Sequence, residues 1–171
     1  IAQRKRDVYP RPVMTGPYSW IDERGREMHY SPEVGNIATA VDMTEMTIDD
    51  LPDPDAPYTV DPSELDIIRH VVAELGETHF IIGRSSVDGT FPFQETCGIQ
   101  EFLMRMVTDP EFVDRAVQVY VNRSIAYIQA MLAAGCDAVM TTDDYSGNSG
   151  PFMGPARFRR LIQPGIRRQV E

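Results

Sequence analysis

Cysteine is scarce in this chain: two residues, Cys97 and Cys136, among 171. So few thiols exclude a disulfide scaffold and read as free, partly buried side chains in a reducing, cytoplasmic setting. Long apolar runs are missing. No stretch approaches the roughly 20 residues of a membrane-spanning helix, and no charged-then-apolar leader opens the chain. Positive charge is short as well: the formal net charge is −10, and no Lys or Arg occurs between Arg26 and Arg69. Nucleic acid and anionic membrane surfaces are thereby disfavoured as partners. The bases gather near the two ends, at Arg4, Lys5, Arg6 and Arg11 and again at Arg157, Arg159, Arg160, Arg167 and Arg168. The second group reads as a solvated helix face. No Gly-x-Gly-x-x-Gly follows either apolar strand and no P-loop is present, so a nucleotide fold loses its best support. The length suits one domain with a real core. The first residue is Ile1 rather than Met, and Glu171 closes a helix-like segment, so both ends read as cuts in a longer protein.

The most informative run that is present is Ala134-Gly135-Cys136-Asp137-Ala138-Val139-Met140-Thr141-Thr142-Asp143-Asp144-Tyr145. Gly135 ends a helix by offering the left-handed conformation that a stop needs. The apolar run that follows reads as a buried strand over 138–142. It delivers two adjacent carboxylates, Asp143 and Asp144, to its C-terminal end, where parallel α/β folds place their chemistry. A cap on the next turn accounts for one aspartate and less well for two.

Upstream, Asp22-Glu23-Arg24-Gly25-Arg26 separates strand-like flanks at 18–21 and 27–30, which predicts a hairpin. Residues 31–60 are acidic and proline-rich, and read as a surface excursion, with the N-terminus of a very short helix near Thr47. Asp61-Pro62-Ser63-Glu64 is a helix start, followed by the stripe Leu65, Ile68, Val72 and Leu75. Gly76 ends that helix, and Phe80-Ile81-Ile82-Gly83 reads as a buried strand. A short helix follows over 98–107. Asp109-Pro110-Glu111 then repeats the cap-plus-proline start, opening a long helix to Ala134 with Phe112, Val113, Ala116, Val117, Tyr120, Val121, Ile125, Ile128 and Leu132 on its buried side. Helix, glycine, short strand and polar loop thus occur twice. This is the pattern of an α/β protein with a parallel sheet and right-handed crossovers, either a barrel or a doubly wound sheet.

These residues, taken in order, resemble the uroporphyrinogen decarboxylase superfamily. The likeness is carried by Ala134-Gly135-Cys136-Asp137-Ala138-Val139, Asp143-Asp144-Tyr145-Ser146-Gly147 and Gly150 to Phe158, closing with Gln163-Pro164. Gly154 stands where serine is usual. Gly98 to Leu103, Thr108 to Val113 and the Trp20 turn also match in order. The resemblance implies a (β/α)8 TIM-type barrel of about twice this length. This chain would be its middle portion, one partial domain over 1–171, with hairpin and excursion over 1–60 and βα units over 61–171.

Residues 84–91 depart from the Gly-x-Pro-Phe-Thr segment of decarboxylases proper, and their arginine-rich substrate motif is not visible. Asp143-Asp144 looks more like the methyltransferase-like branch, which moves methyl groups between corrinoids and thiols using zinc. That branch takes its zinc from a His-x-Cys pair and a later cysteine, beyond Glu171. His29, His70, His79, Cys97 and Cys136 lack the spacing, so no metal site is expected within the chain. Zinc and a corrinoid belong, on this reading, to the full-length protein.

The resemblance thus implies an enzyme with Asp144 and Asp143 as catalytic candidates, Asp144 carrying the greater weight as the pocket-facing member. Arg84, Tyr145 and Phe91 are the substrate-binding candidates. Arg84 either holds a substrate carboxylate or pairs with Asp143 or Asp144, Tyr145 either donates to substrate or packs its ring, and Phe91 or Phe93 either walls a pocket or fills the core. The expected activity is methyl transfer between a corrinoid and a thiol or methylated substrate. Its alternatives are decarboxylation of a porphyrinogen or related carboxylate, and a truncated barrel piece, inactive alone, with no complete site. Expected partners are a small-molecule substrate, a corrinoid protein and a second copy of the chain.

Overall fold

The computed structural model describes residues 13–21, 27–30, 38–40, 46–84 and 88–171, in two compact units that divide between residues 45 and 46. The first unit is an antiparallel meander of β1 (Val13–Gly16), β2 (Ser19–Ile21), β3 (Glu27–Tyr30) and β4 (Ala38–Ala40), in chain order. The expected hairpin is the β2–β3 pair, with Trp20 opposite Met28 and Ser19 opposite His29. Its turn, 22–26, lies outside the described residues. β1 forms despite the Gly16-Pro17 break, because the break falls in the turn and the register irregularity between Met14 and Gly16 absorbs it.

The second unit begins with a 3-10 turn, Ile48–Asp50, whose Asp50 carboxylate accepts hydrogen bonds from the Thr47 N–H and hydroxyl, both at 2.7 Å. The proline-rich stretch after it is irregular, as expected, yet Leu51 and Val60 are buried, which corrects the reading of 31–60 as surface throughout. Arg105 donates to the Met46 carbonyl and Asn122 to the Pro54 carbonyl, each at 2.6 Å, so helix side chains satisfy this backbone and hold it down.

Asp61 caps as expected, accepting from the Ser63 N–H at 2.9 Å, although the turn it opens, Pro62–Leu65, is 3-10. It leads directly into α1 (Asp66–Leu75). Then come β5 (Ile82–Arg84), α2 (Ile99–Thr108), α3 (Pro110–Ala133), β6 (Ala138–Met140), the small antiparallel pair β7 (Ser146–Gly147) and β8 (Gly150–Pro151), α4 (Pro155–Leu161) and α5 (Gln163–Val170). α3 starts where Asp109 accepts from the Phe112 N–H at 3.2 Å. Its stripe Phe112, Val113, Ala116, Val117 and Val121 joins Phe91, Phe102 and Ile162 in the main core, while Leu132, placed on the same side by periodicity, is exposed.

β5 and β6 pair in parallel, Ile82 opposite Ala138 and Arg84 opposite Met140. The expected strand at 80–83 is shifted, because Asp137 clamps its start: Oδ2 accepts from the Ile81 N–H at 2.7 Å, and the Asp137 N–H donates to the Ile81 carbonyl at 2.9 Å. The helix-facing side of the pair is tight, with a Cβ on Gly83 falling 3.0 Å from Cys136 Sγ and Met131 Sδ. The opposite side is open: Phe80, Ile82 and Met140 are exposed.

Candidate functional site

The loops after β5 and β6 meet. Asp88-Gly89-Thr90 forms a tight turn in which Asp88 Oδ1 accepts from the Thr90 N–H and the Thr90 hydroxyl, both at 2.7 Å. Gly89 is required there. Its φ is +77°, and a side chain would collide with the Tyr120 carbonyl of α3. From the other loop Tyr145 donates its hydroxyl to Asp88 Oδ2 and lies 2.7 Å from the Thr90 hydroxyl. Its ring stands edge-on to Phe158 at 5.3 Å. From α5, Gln169 donates to the Asp88 carbonyl at 2.7 Å. One turn earlier on that helix is Gly165, where a Cβ would sit 2.7 Å from Thr90 Cγ2, so the missing side chain lets α5 close on the turn. Asp88 is thus 5% exposed, with both carboxylate oxygens occupied by donors.

Asp143 faces this cluster. Its Oδ1 accepts from the Asp144 N–H at 2.8 Å, and its Oδ2 is buried with no hydrogen-bond donor among the described residues. Burial raises the Asp143 carboxyl to about 7, and the neighbouring negative charges of Asp88 and Glu95 push the same way. Tyr145 is raised too, by burial first and then by its bond to Asp88, so it is a neutral phenol that donates. The arrangement is an aspartate side chain held by donors in the same loop cluster as a carboxyl that burial pushes up to about 7. That is the equipment of general acid–base chemistry.

Of the expected site residues, Asp143 and Tyr145 come together here. Asp144 is exposed, and the half-buried, charge-perturbed environment belongs to Asp143. Arg84, at the end of β5, is exposed, and no ion pair joins it to Asp143 or Asp144 among the described residues. Phe91 is corrected from pocket wall to core. It is 2% exposed and packs against Phe93, Phe102 and Phe152, at 5.0, 5.4 and 6.0 Å between ring centroids. Sequence reasoning passed over Asp88, Thr90 and Gln169. The available signal was Asp-Gly-Thr, an aspartate able to bond its own backbone two residues on, inside the loop after a strand.

Other chemistry has less support. Burial raises both cysteine thiols, which disfavours thiolate reactivity. No group of three or more metal-ligating side chains converges among the described residues. No described helix is long and apolar enough to cross a membrane. A groove of about 270 Å³ between α3 and the two C-terminal helices includes neither Asp88 nor Asp143, and its arginines are already engaged, Arg160 with Asp114 at 3.0 Å and Arg168 with Asn122 at 2.6 Å.

No curated protein matches the sequence. Among solved structures the chain is similar to a methyltransferase from Methanosarcina mazei, with a TM-score of 0.56 at 20% identity. That match covers 64% of this chain and 32% of the methyltransferase, and shows a shared mixed α/β fold over this portion. The family model for uroporphyrinogen decarboxylase (URO-D) matches residues 21–171, which takes in β5, β6 and the loops that bring Asp88, Asp143 and Tyr145 together. The chain belongs to the uroporphyrinogen decarboxylase family.

Proposed function

We propose that this chain is part of a (β/α)8-barrel enzyme of that family, and that the enzyme transfers a methyl group between a corrinoid and a thiol or methylated substrate. The observation that carries the reading is Asp143: on the loop after β6, its Oδ2 is buried without a hydrogen-bond donor among the described residues, and burial pushes its carboxyl up to about 7. Such a group gives a proton to a leaving atom and takes it back at neutral pH. Asp144 and Arg84 are exposed on the same two strand ends and serve as substrate contacts. The likeness to a methyltransferase favours this branch. Electrostatics favours it as well, since Asp88, Glu95 and Asp144 crowd the loops, and a porphyrinogen rich in carboxylates would be repelled. Corrinoid and zinc fall outside the groups that the described residues assemble, so no step is assigned to them.

The test uses the complete protein with zinc supplied, methylcobalamin as methyl donor and a small thiol as acceptor, followed by the corrinoid absorbance. Turnover is expected, and Asp143→Asn should lower it by about a hundredfold or more. Release of carbon dioxide from a tetrapyrrole carboxylate without methyl transfer would replace this reading with the decarboxylase one.

A further inference from the structure

We propose that Tyr145 is a positioning residue and not a substrate contact. Its hydroxyl, bonded into the Asp88–Thr90 turn, ties the loop that carries Asp143 to the packed side of the unit and so fixes where that carboxyl stands. The role rests on the reading of Asp143 as the acid, and adds to it what holds the acid in place.

The turn is a fixed post. Asp88 and Thr90 are buried, and Asp88 Oδ1 accepts from the Thr90 N–H and hydroxyl. Gly89 lies against the Tyr120 backbone of α3 and Gly165 of α5 lies against Thr90, so neither helix leaves the turn room to shift. Gln169 donates to the Asp88 carbonyl, and the buried Ser124 of α3 donates to Gln169 Oε1 at 3.4 Å, which orients that amide. The stretch after β6 is different. Asp144, Ser146, Gly147, Asn148 and Ser149 are exposed, and Tyr145 among them reaches inward. Its ring stands edge-on to Phe158, and its carbonyl accepts from the Phe152 N–H at 2.9 Å. Both of those contacts stay within residues 145–158. The hydroxyl instead spans the two loops, meeting Asp88 Oδ2 and the Thr90 hydroxyl, 55 positions away. Asp143 lies just before Asp144, whose N–H bonds Asp143 Oδ1 at 2.8 Å, so a shift of Tyr145 is carried along the backbone to that carboxyl. With its proton committed to the buried Asp88 carboxylate, the Tyr145 hydroxyl is not presented to a substrate.

Hydrogen–deuterium exchange on the complete protein, read on peptides spanning 141–147, tests the tether without any substrate. Tyr145→Phe keeps the ring against Phe158 and removes only the hydroxyl. Exchange at 141–147 should then rise about tenfold or more while that of α3 stays as in the wild type. Asp88→Ala should do the same, and the double variant should exchange no faster than Asp88→Ala alone, because both changes remove one bond. Asp88→Asn can keep the bonds, its oxygen accepting from Thr90 and its NH2 donating to the tyrosine oxygen, so exchange should stay near the wild type. Tyr145→Phe and Asp88→Asn both retain the packing, so the test stands even if Asp88→Ala fails to fold. In turnover, Tyr145→Phe should lower kcat about tenfold with KM within about twofold, since the acid is displaced and no substrate contact is lost. Unchanged exchange at 141–147 in Tyr145→Phe would overturn the proposal. So would a raised KM at unchanged kcat, the mark of a substrate contact. If Asp143→Asn retains full turnover, the acid reading fails, while faster exchange in Tyr145→Phe still assigns the tether.

Discussion

On the helix-facing side of the β5–β6 pair, Gly83 lies against Met131 and Cys136, and a single added carbon would be crowded. On the other side Phe80 is 70% and Ile82 58% exposed, with Met140 beside them. The same two strands thus present a finished face and an apolar face without cover among the described residues. Parallel strands are ordinarily covered on both faces by their own connections. The difference teaches where the stability of this unit resides: in α3 and its neighbours, not in the sheet. It also separates the two adjacent aspartates, since Asp143 belongs to the packed loop cluster and Asp144 is exposed.

The largest effect is expected on the finished side. Met131→Ala, at a side chain 1% exposed, should cost about 2–5 kcal/mol, read by urea or thermal unfolding. A cost below about 1 kcal/mol would mean that this face is looser than its contacts imply. Next comes the loop cluster. Asp143 rises from 3.8 to about 7 on folding, so between those values the fold binds a proton that the unfolded chain does not. Stability should therefore fall as pH rises through that window, and Asp143→Asn should flatten the dependence. A melting temperature that rises from pH 5 to pH 7 through Asp143 would contradict the burial of its Oδ2. A third, smaller effect tests the helix that carries the packed side: Asp109→Ala removes the cap on α3 and should cost about 1 kcal/mol. The smallest is expected on the open side, where Ile82→Ser should change the stability of this chain by less than about 0.5 kcal/mol. A loss of about 2 kcal/mol or more for the same change in a longer protein would show that the face is covered there.

Elements announced by local chemistry were legible. The Asp61 and Asp109 caps each precede a proline, and Gly135, at φ +102°, ends the turn after α3. These depend on a residue's own backbone and its nearest hydrogen bonds, so neighbours in sequence suffice. Both strands of the parallel pair were legible as apolar runs, but their limits were not, because the start of β5 is set by Asp137, 56 positions from the Ile81 N–H it accepts. Phe91 misled for a related reason: an aromatic in a loop reads alike whether it lines a pocket or fills a core, and only its contacts with Phe102 and Phe152 decide.

The sequence by itself determined the class of fold, the order of the main helices and of the two parallel strands, the family, and a pair of acids at a strand end. It could not rank those acids. Asp143 and Asp144 are the same residue type one position apart, and nothing local to the chain distinguishes them. The ranking comes from Asp88, brought across 55 positions by the pairing of β5 with β6, and from Tyr145 and Thr90, which occupy its oxygens. A carboxyl's affinity for its proton depends on how much water it has lost and which charges and donors surround it, and those are fixed only when distant segments pack.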